Sequence, residues 1–177
     1  MKTHRLAVPM AAVLCGLAAA LPLQAEAAET STATVTVVPG ALTITAPTDA
    51  GNLGTRPHAM GGGTISGPLG QVQVDDARGA PPGSGWVASV TSTEFAPASG
   101  PAIPASAVSY AVGTITKVGT ATYVADDPTG LTTAVPAVTA TEVTGDNSAT
   151  WNPTITVTIP GGAAAGVYSG TITHSVT

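Results

Sequence analysis

Charge is scarce in this sequence. Charged residues make up 8% of the 177, and aromatic residues only 3%. Disorder requires low hydrophobicity and high charge, whereas 44% of these residues are hydrophobic, so a folded chain is expected. The basic residues that remain after the leader, Arg56, Arg78 and Lys117, lie far apart in sequence. A phosphate backbone needs clustered Lys and Arg, so nucleic acid is excluded as a partner. Cysteine is absent apart from Cys15, which rules out a disulfide framework and a thiol nucleophile. Helical periodicity is missing too: beyond the leader no stretch sustains a three-to-four spacing between helix caps.

What the sequence does contain begins with an export signal. Lys2 and Arg5 supply a positive start, residues 6–23 carry no charge, and Ala25-Glu26-Ala27 offers the small-x-small pattern of a cleavage site. Pro9, Gly16 and Pro22 interrupt an apolar run too short for a membrane anchor, which needs about 20 strongly apolar residues. A lipid-anchored signal would place Leu and a small residue where Ala12 and Leu14 precede Cys15. The expected organisation is a secretory signal over 1–27 and one domain over 28–177, with no membrane span after cleavage. Without Lys2, Arg5 and Glu26 the chain keeps three basic and nine acidic residues, a net charge of −6. A chain of this size buries roughly 68–70% of its unfolded surface, enough for a core without staples.

Strict alternation is the dominant pattern. It runs through Thr34–Val37 and Leu42–Thr45, separated by Pro39-Gly40, which reads as a turn. It recurs at Gln71–Asp75, Trp86–Val90, Thr154–Ile159 and Val167–Val176. Period two puts every second side chain on one face, so each segment buries one side. Gly61-Gly62-Gly63, Pro81-Pro82-Gly83-Ser84-Gly85, Ser99-Gly100-Pro101 and Pro160-Gly161-Gly162 read as reversals between them. Shorter strands are expected over 106–112, 115–118 and 121–124, and residues 125–148 read as loop. The expected fold class is all-β: an antiparallel β-sandwich or a partly open barrel.

Large side chains are few, namely Trp86, Trp151, Tyr110, Tyr123, Tyr168 and Phe95. A buried tryptophan removes roughly 150–250 Å² from water, worth up to about 4–6 kcal/mol. Core anchoring is therefore the first reading of both tryptophans.

Catalytic sets are not visible. His58 and His174 stand alone, no serine lies in a Gly-x-Ser-x-Gly elbow, and two isolated histidines do not make a zinc site. The reading is a non-enzyme that uses no cofactor. Carboxylates offer one metal alternative: Asp75-Asp76 and Asp126-Asp127 are calcium candidates by their oxygen content. They lack the spaced Asp-x-Asp-x-Asp-Gly loop, and a turn or a local ion pair with Arg78 accounts for the first pair.

Two segments carry a family resemblance. Val74-Asp75-Asp76-Ala77-Arg78-Gly79 followed by Gly85-Trp86-Val87-Ala88-Ser89-Val90 resembles the strand, Asp/Arg/Gly turn and Gly-Trp strand of the WxL domain of Gram-positive surface proteins. Tyr168–Val176 is similar to that family's terminal Tyr-x-x-x-Leu-Thr-Trp-x-Leu segment. Ala88 stands for the first motif's Leu, and His174 and Val176 stand for the second motif's Trp and Leu. The resemblance implies an all-β domain held non-covalently on peptidoglycan or another wall polymer, alongside other surface proteins. With Trp151 as an aromatic that compensates for the missing second Trp, the candidate binding residues are Trp86, Trp151, Tyr168 and His174. The residues after the last strand carry no sorting motif or apolar tail, which agrees with non-covalent attachment. A second reading is a structural subunit docking on a protein partner through its strand edges.

Overall fold

A computed structural model of the protein describes residues 29–177. The expected signal over 1–27 lies outside the described residues. The chain divides into two units, Met1–Thr36 and Val37–Thr177, and every strand among the described residues lies in the second. Among the described residues no helix is long and apolar enough to cross a membrane.

The fold is an antiparallel β-sandwich, as the alternating sequence requires. One sheet is organised around two long strands, β3 (Val72–Ser92) and β7 (Val135–Trp151), preceded by β1 (Leu42–Thr45) and β2 (Gly63–Pro68) in chain order. The first sheet runs β1-β3-β7-β6, with β6 spanning Thr116–Ala125 at one edge and β10 (Ile172–Val176) also on β3. The second sheet is β2-β8-β5, with β5 over Val108–Ala111 and β8 over Thr154–Ile159. β4 (Ala96–Pro97) and β9 (Tyr168–Ser169) form a small separate pair. The sheets do not close into a barrel.

Period two explains the core. Along β3 the inward positions are Val72, Val74, Asp76, Ala80, Trp86, Ala88, Val90 and Ser92. Their counterparts on β8, β5 and the adjoining loops include Ile155, Val108, Tyr110, Val112 and Leu131, all buried. Both tryptophans are 2% exposed. The core is built from small and β-branched side chains around two large rings.

Four sequence expectations need correction. Thr34–Val37 forms no strand, and Val35 and Val37 are 90% and 89% exposed. Pro39-Gly40 does not reverse the chain. Gly40 N–H donates to the Ala77 carbonyl at 2.8 Å and Ala77 N–H to the Ala41 carbonyl at 3.0 Å, so the chain enters β1 already laid along β3. A side chain at position 40 would meet the Ala77 carbonyl at 2.6 Å, which reserves the place for glycine.

The Pro81–Gly85 cluster does not reverse the chain either. β3 continues through it against β7, with register shifts between Asp76, Ala80, Ser84 and Trp86. The prolines lie between the stretch of β3 that pairs β1 (Gln73–Asp76) and the stretch that pairs β10 (Ala88–Ser92). That edge needs no ladder donor there, so proline is tolerated. Finally, residues 125–148 are mostly strand rather than loop, since β7 begins at Val135.

Candidate binding groove

The two tryptophans each head a buried polar chain. Trp86 Nε1 donates to Asn147 Oδ1 at 3.0 Å, and Asn147 Nδ2 donates to Asp76 Oδ2 at 3.3 Å. Arg78 closes this chain with two donors, Nε to Asp76 Oδ1 at 2.8 Å and Nη2 to Oδ2 at 2.9 Å. The paired guanidinium holds the Asp76 carboxyl below its usual range, against the opposing effect of burial. The Tyr123 hydroxyl joins by donating to Asn147 Oδ1 at 3.1 Å, and its ring centroid lies 5.6 Å from that of Trp86.

Trp151 heads the second chain. Its Nε1 donates to the Tyr110 hydroxyl at 2.8 Å, and that oxygen lies 3.1 Å from His174 Nε2. The direction of that second bond follows the imidazole tautomer: an unprotonated Nε2 accepts the hydroxyl proton, and a protonated one donates to the oxygen's second lone pair. Burial pushes His174 down to about 4 and pushes Tyr110 up.

These chains take up three of the proposed binding residues. Trp86 and Trp151 are core anchors with no exposed ring face, because inward positions of long strands receive them. Half-buried His174 is engaged by Tyr110 across the sandwich. Of the four, Tyr168 is the one that lines the groove described below.

The calcium candidates do not converge. Asp75 and Asp76, as strand neighbours, point to opposite faces. Asp75 accepts from Gln73 Nε2 at 2.8 Å, while Asp76 belongs to the buried chain. Asp126 accepts from Thr139 Oγ1 at 2.9 Å. Asp127, at φ 44°, accepts the Val112 N–H at 2.7 Å, a turn-fixing role. Among the described residues no three potential ligands gather.

The groove has a volume of about 870 Å³, within the range typical of ligand sites. One wall is the segment 47–59, which side chains hold in a defined shape. Asp49 Oδ1 accepts from Gly51 N–H at 2.7 Å and Asn52 Oδ1 from Gly54 N–H at 3.0 Å, while Asn52 Nδ2 donates to Thr55 Oγ1 at 3.3 Å. These are side chain-to-backbone turns two residues long. The wall closes onto β2 at Gly67, where any Cβ would strike the Leu53 backbone.

The opposite wall is the segment 160–172. Tyr168 donates its hydroxyl to the Ala164 carbonyl at 2.9 Å, and β9 pairs with β4. Gly170 lies against the Phe95 ring, 2.8 Å from where its Cβ would stand. The floor is apolar, formed by Leu69, Phe95, Ile103 and Val157. Arg56 and His58 line the first wall. Sequence reasoning missed this wall. The repeated Asp/Asn-x-Gly spacing at 49–51 and 52–54 was the available signal of a structured loop.

Comparison with family models, with curated proteins and with solved structures returned no match.

Proposed function

We propose that this is an exported, non-catalytic surface domain that binds the cell wall non-covalently through the groove between segments 47–59 and 160–172. The observation that carries the reading is the groove itself, which has an apolar floor, a shaped wall, and Tyr168 at its border. The resemblance of the Asp76-Ala77-Arg78-Gly79 and Trp86 segments to the WxL domain supports it from the sequence side. The ion pair and the indole bond of that motif join Arg78, Asp76, Asn147 and Trp86, so the motif serves the fold and the groove serves the ligand.

Purified protein incubated with Gram-positive cell wall should sediment with it in EDTA and at about 0.5 M salt, because few charges are available for screening. Absence from the wall pellet under all conditions would refute the proposal. A second reading has one feature in its favour. β6 pairs only with β7, and Val118 and Val124 on it are 67% and 50% exposed, so a partner strand could add at this edge. Capture that wall polymer does not compete, and that is lost in Val118→Lys, would favour the edge over the groove.

A further inference from the structure

Among the described residues Arg56 makes neither a salt bridge nor a cation–ring contact. Among the described residues the one salt bridge joins Arg78 to Asp76, and Lys117 lies 5.9 Å from the centroid of the Tyr123 ring. Arg56 has no carboxylate, yet it is half-buried in the groove wall. Its guanidinium lies over the bare Cα of Gly63, in the place that a Cβ would occupy. The far end of a long cationic side chain thus lies against β2 at a glycine with φ 150°. Asp49, on the same wall, accepts from the Gly51 N–H and makes no salt bridge with Arg56.

The surroundings define what Arg56 can recognise. The floor beside it is apolar, with Leu53, Ile65, Leu69, Phe95, Ile103 and Val157. A carboxylate entering such a site loses water and needs a charged, forked donor, which an arginine supplies. Elsewhere the molecule is acidic, with a net charge of −5 for the whole chain, so an anion gains little from the general field. The rim adds the hydroxyls of Thr55, Ser169 and Thr171. A peptide can meet these with its amides, whereas an acyl chain would leave them unused. Sugar rings prefer exposed aromatic faces, but the aromatic ring of the floor, Phe95, is 8% exposed.

We infer that the groove takes a short apolar peptide ending in a free carboxylate, with the carboxylate on Arg56 and small side chains on the floor. This rests on the wall-binding reading for the source of the peptide: the ligand would be the wall's peptide stems and not its glycan strands.

The test uses the full chain and N-acetyl-trialanine, in L and D forms, as free acid and as C-terminal amide. Titration followed by backbone amide NMR should show the free acid of at least one form binding tenfold or more tightly than its amide, with shifts around residues 53–56. Arg56→Gln should abolish that preference at an unchanged melting temperature, and Arg56→Lys should keep part of it. Equal binding of acid and amide, binding of neither, or a preference that survives Arg56→Gln would each overturn the inference. Wall stripped of its peptide stems by an amidase should no longer sediment the protein. If intact and stripped wall both sediment it, wall binding stands and the peptide assignment fails. If the free acid binds through Arg56 but wall does not sediment the protein, the groove assignment stands and the wall reading fails.

Discussion

Replacing Asn147 with Ala tests how the buried polar chain supports the sandwich. The side chain accepts from Trp86 Nε1 at 3.0 Å and from the Tyr123 hydroxyl at 3.1 Å, and donates to Asp76 at 3.3 Å. The loss falls unevenly. Tyr123 keeps a second acceptor in the Ser148 carbonyl at 3.4 Å, and Asp76 keeps both Arg78 donors. The indole N–H has no other acceptor, and Trp86 is 2% exposed, so water does not reach it. An unsatisfied buried donor costs about 1–3 kcal/mol, and the remaining lost bonds add about 1, for a total near 2–4 kcal/mol. Urea unfolding at neutral pH, followed by tryptophan fluorescence, measures this directly. In a Trp86→Phe background, with no indole N–H to orphan, the same substitution should cost about 1–2 kcal/mol less. A loss below about 0.5 kcal/mol, or strict additivity of the two changes, would refute the assignment of Asn147 as the indole's essential acceptor.

Two further predictions concern pH and metal. His174 is held neutral in the fold at about 4, below its ordinary value of 6.5, so the unfolded chain binds the extra proton first and stability falls as pH drops from 6.5 to 4. The loss should reach roughly 2–3 kcal/mol after allowance for partial exposure. His174→Gln should flatten that slope, and an unchanged slope would refute the burial of a neutral His174 as its source. Asp76 acts in a separate window. Its depressed carboxyl stabilises the fold above 3.8, and that contribution disappears as pH falls through the lowered folded value. EDTA should leave the melting temperature within about a degree of the untreated protein, because the four candidate aspartates spend their oxygens on Gln73, Arg78, Thr139 and the Val112 N–H. A drop of several degrees would restore the calcium reading.

The sandwich was legible wherever alternation met a strong contrast between faces. Leu42–Thr45 and Thr154–Ile159 are strands within the bounds their alternation suggested. β7 was hidden because its inward residues include Ala137, Ala140 and Ala149, which differ little in hydropathy from the threonines between them. Its Gly145-Asp146-Asn147 stretch also looks like a turn, but lies where the ladder with β3 shifts register. Thr34–Val37 misled in the opposite direction, since alternation reports a preference for extended backbone and cannot supply the neighbour that a ladder needs. For the groove, the sequence offered Tyr168 and little else. The importance of Arg56 depends on Gly63, Leu69, Phe95 and Val157 meeting around it, and no spacing along the chain announces that.

β1 and β10 share one edge of β3, and both run antiparallel to it. They are therefore in line and point the same way, with Thr177 bonded to Val87 at one side of the gap and Gly40 to Ala77 at the other. In effect they are one strand with its middle missing. Joining residue 177 to residue 40 would need a linker of only about ten residues at 3.3–3.6 Å each. New ends could then be opened at the exposed Ser99–Pro101 without altering the order of the sheets. The same arrangement governs folding in time. The edge of β3 is completed on one side by partners about 30 residues away and on the other by partners about 80–90 residues away, so β10 closes the longer loop and slow folding is the expected consequence.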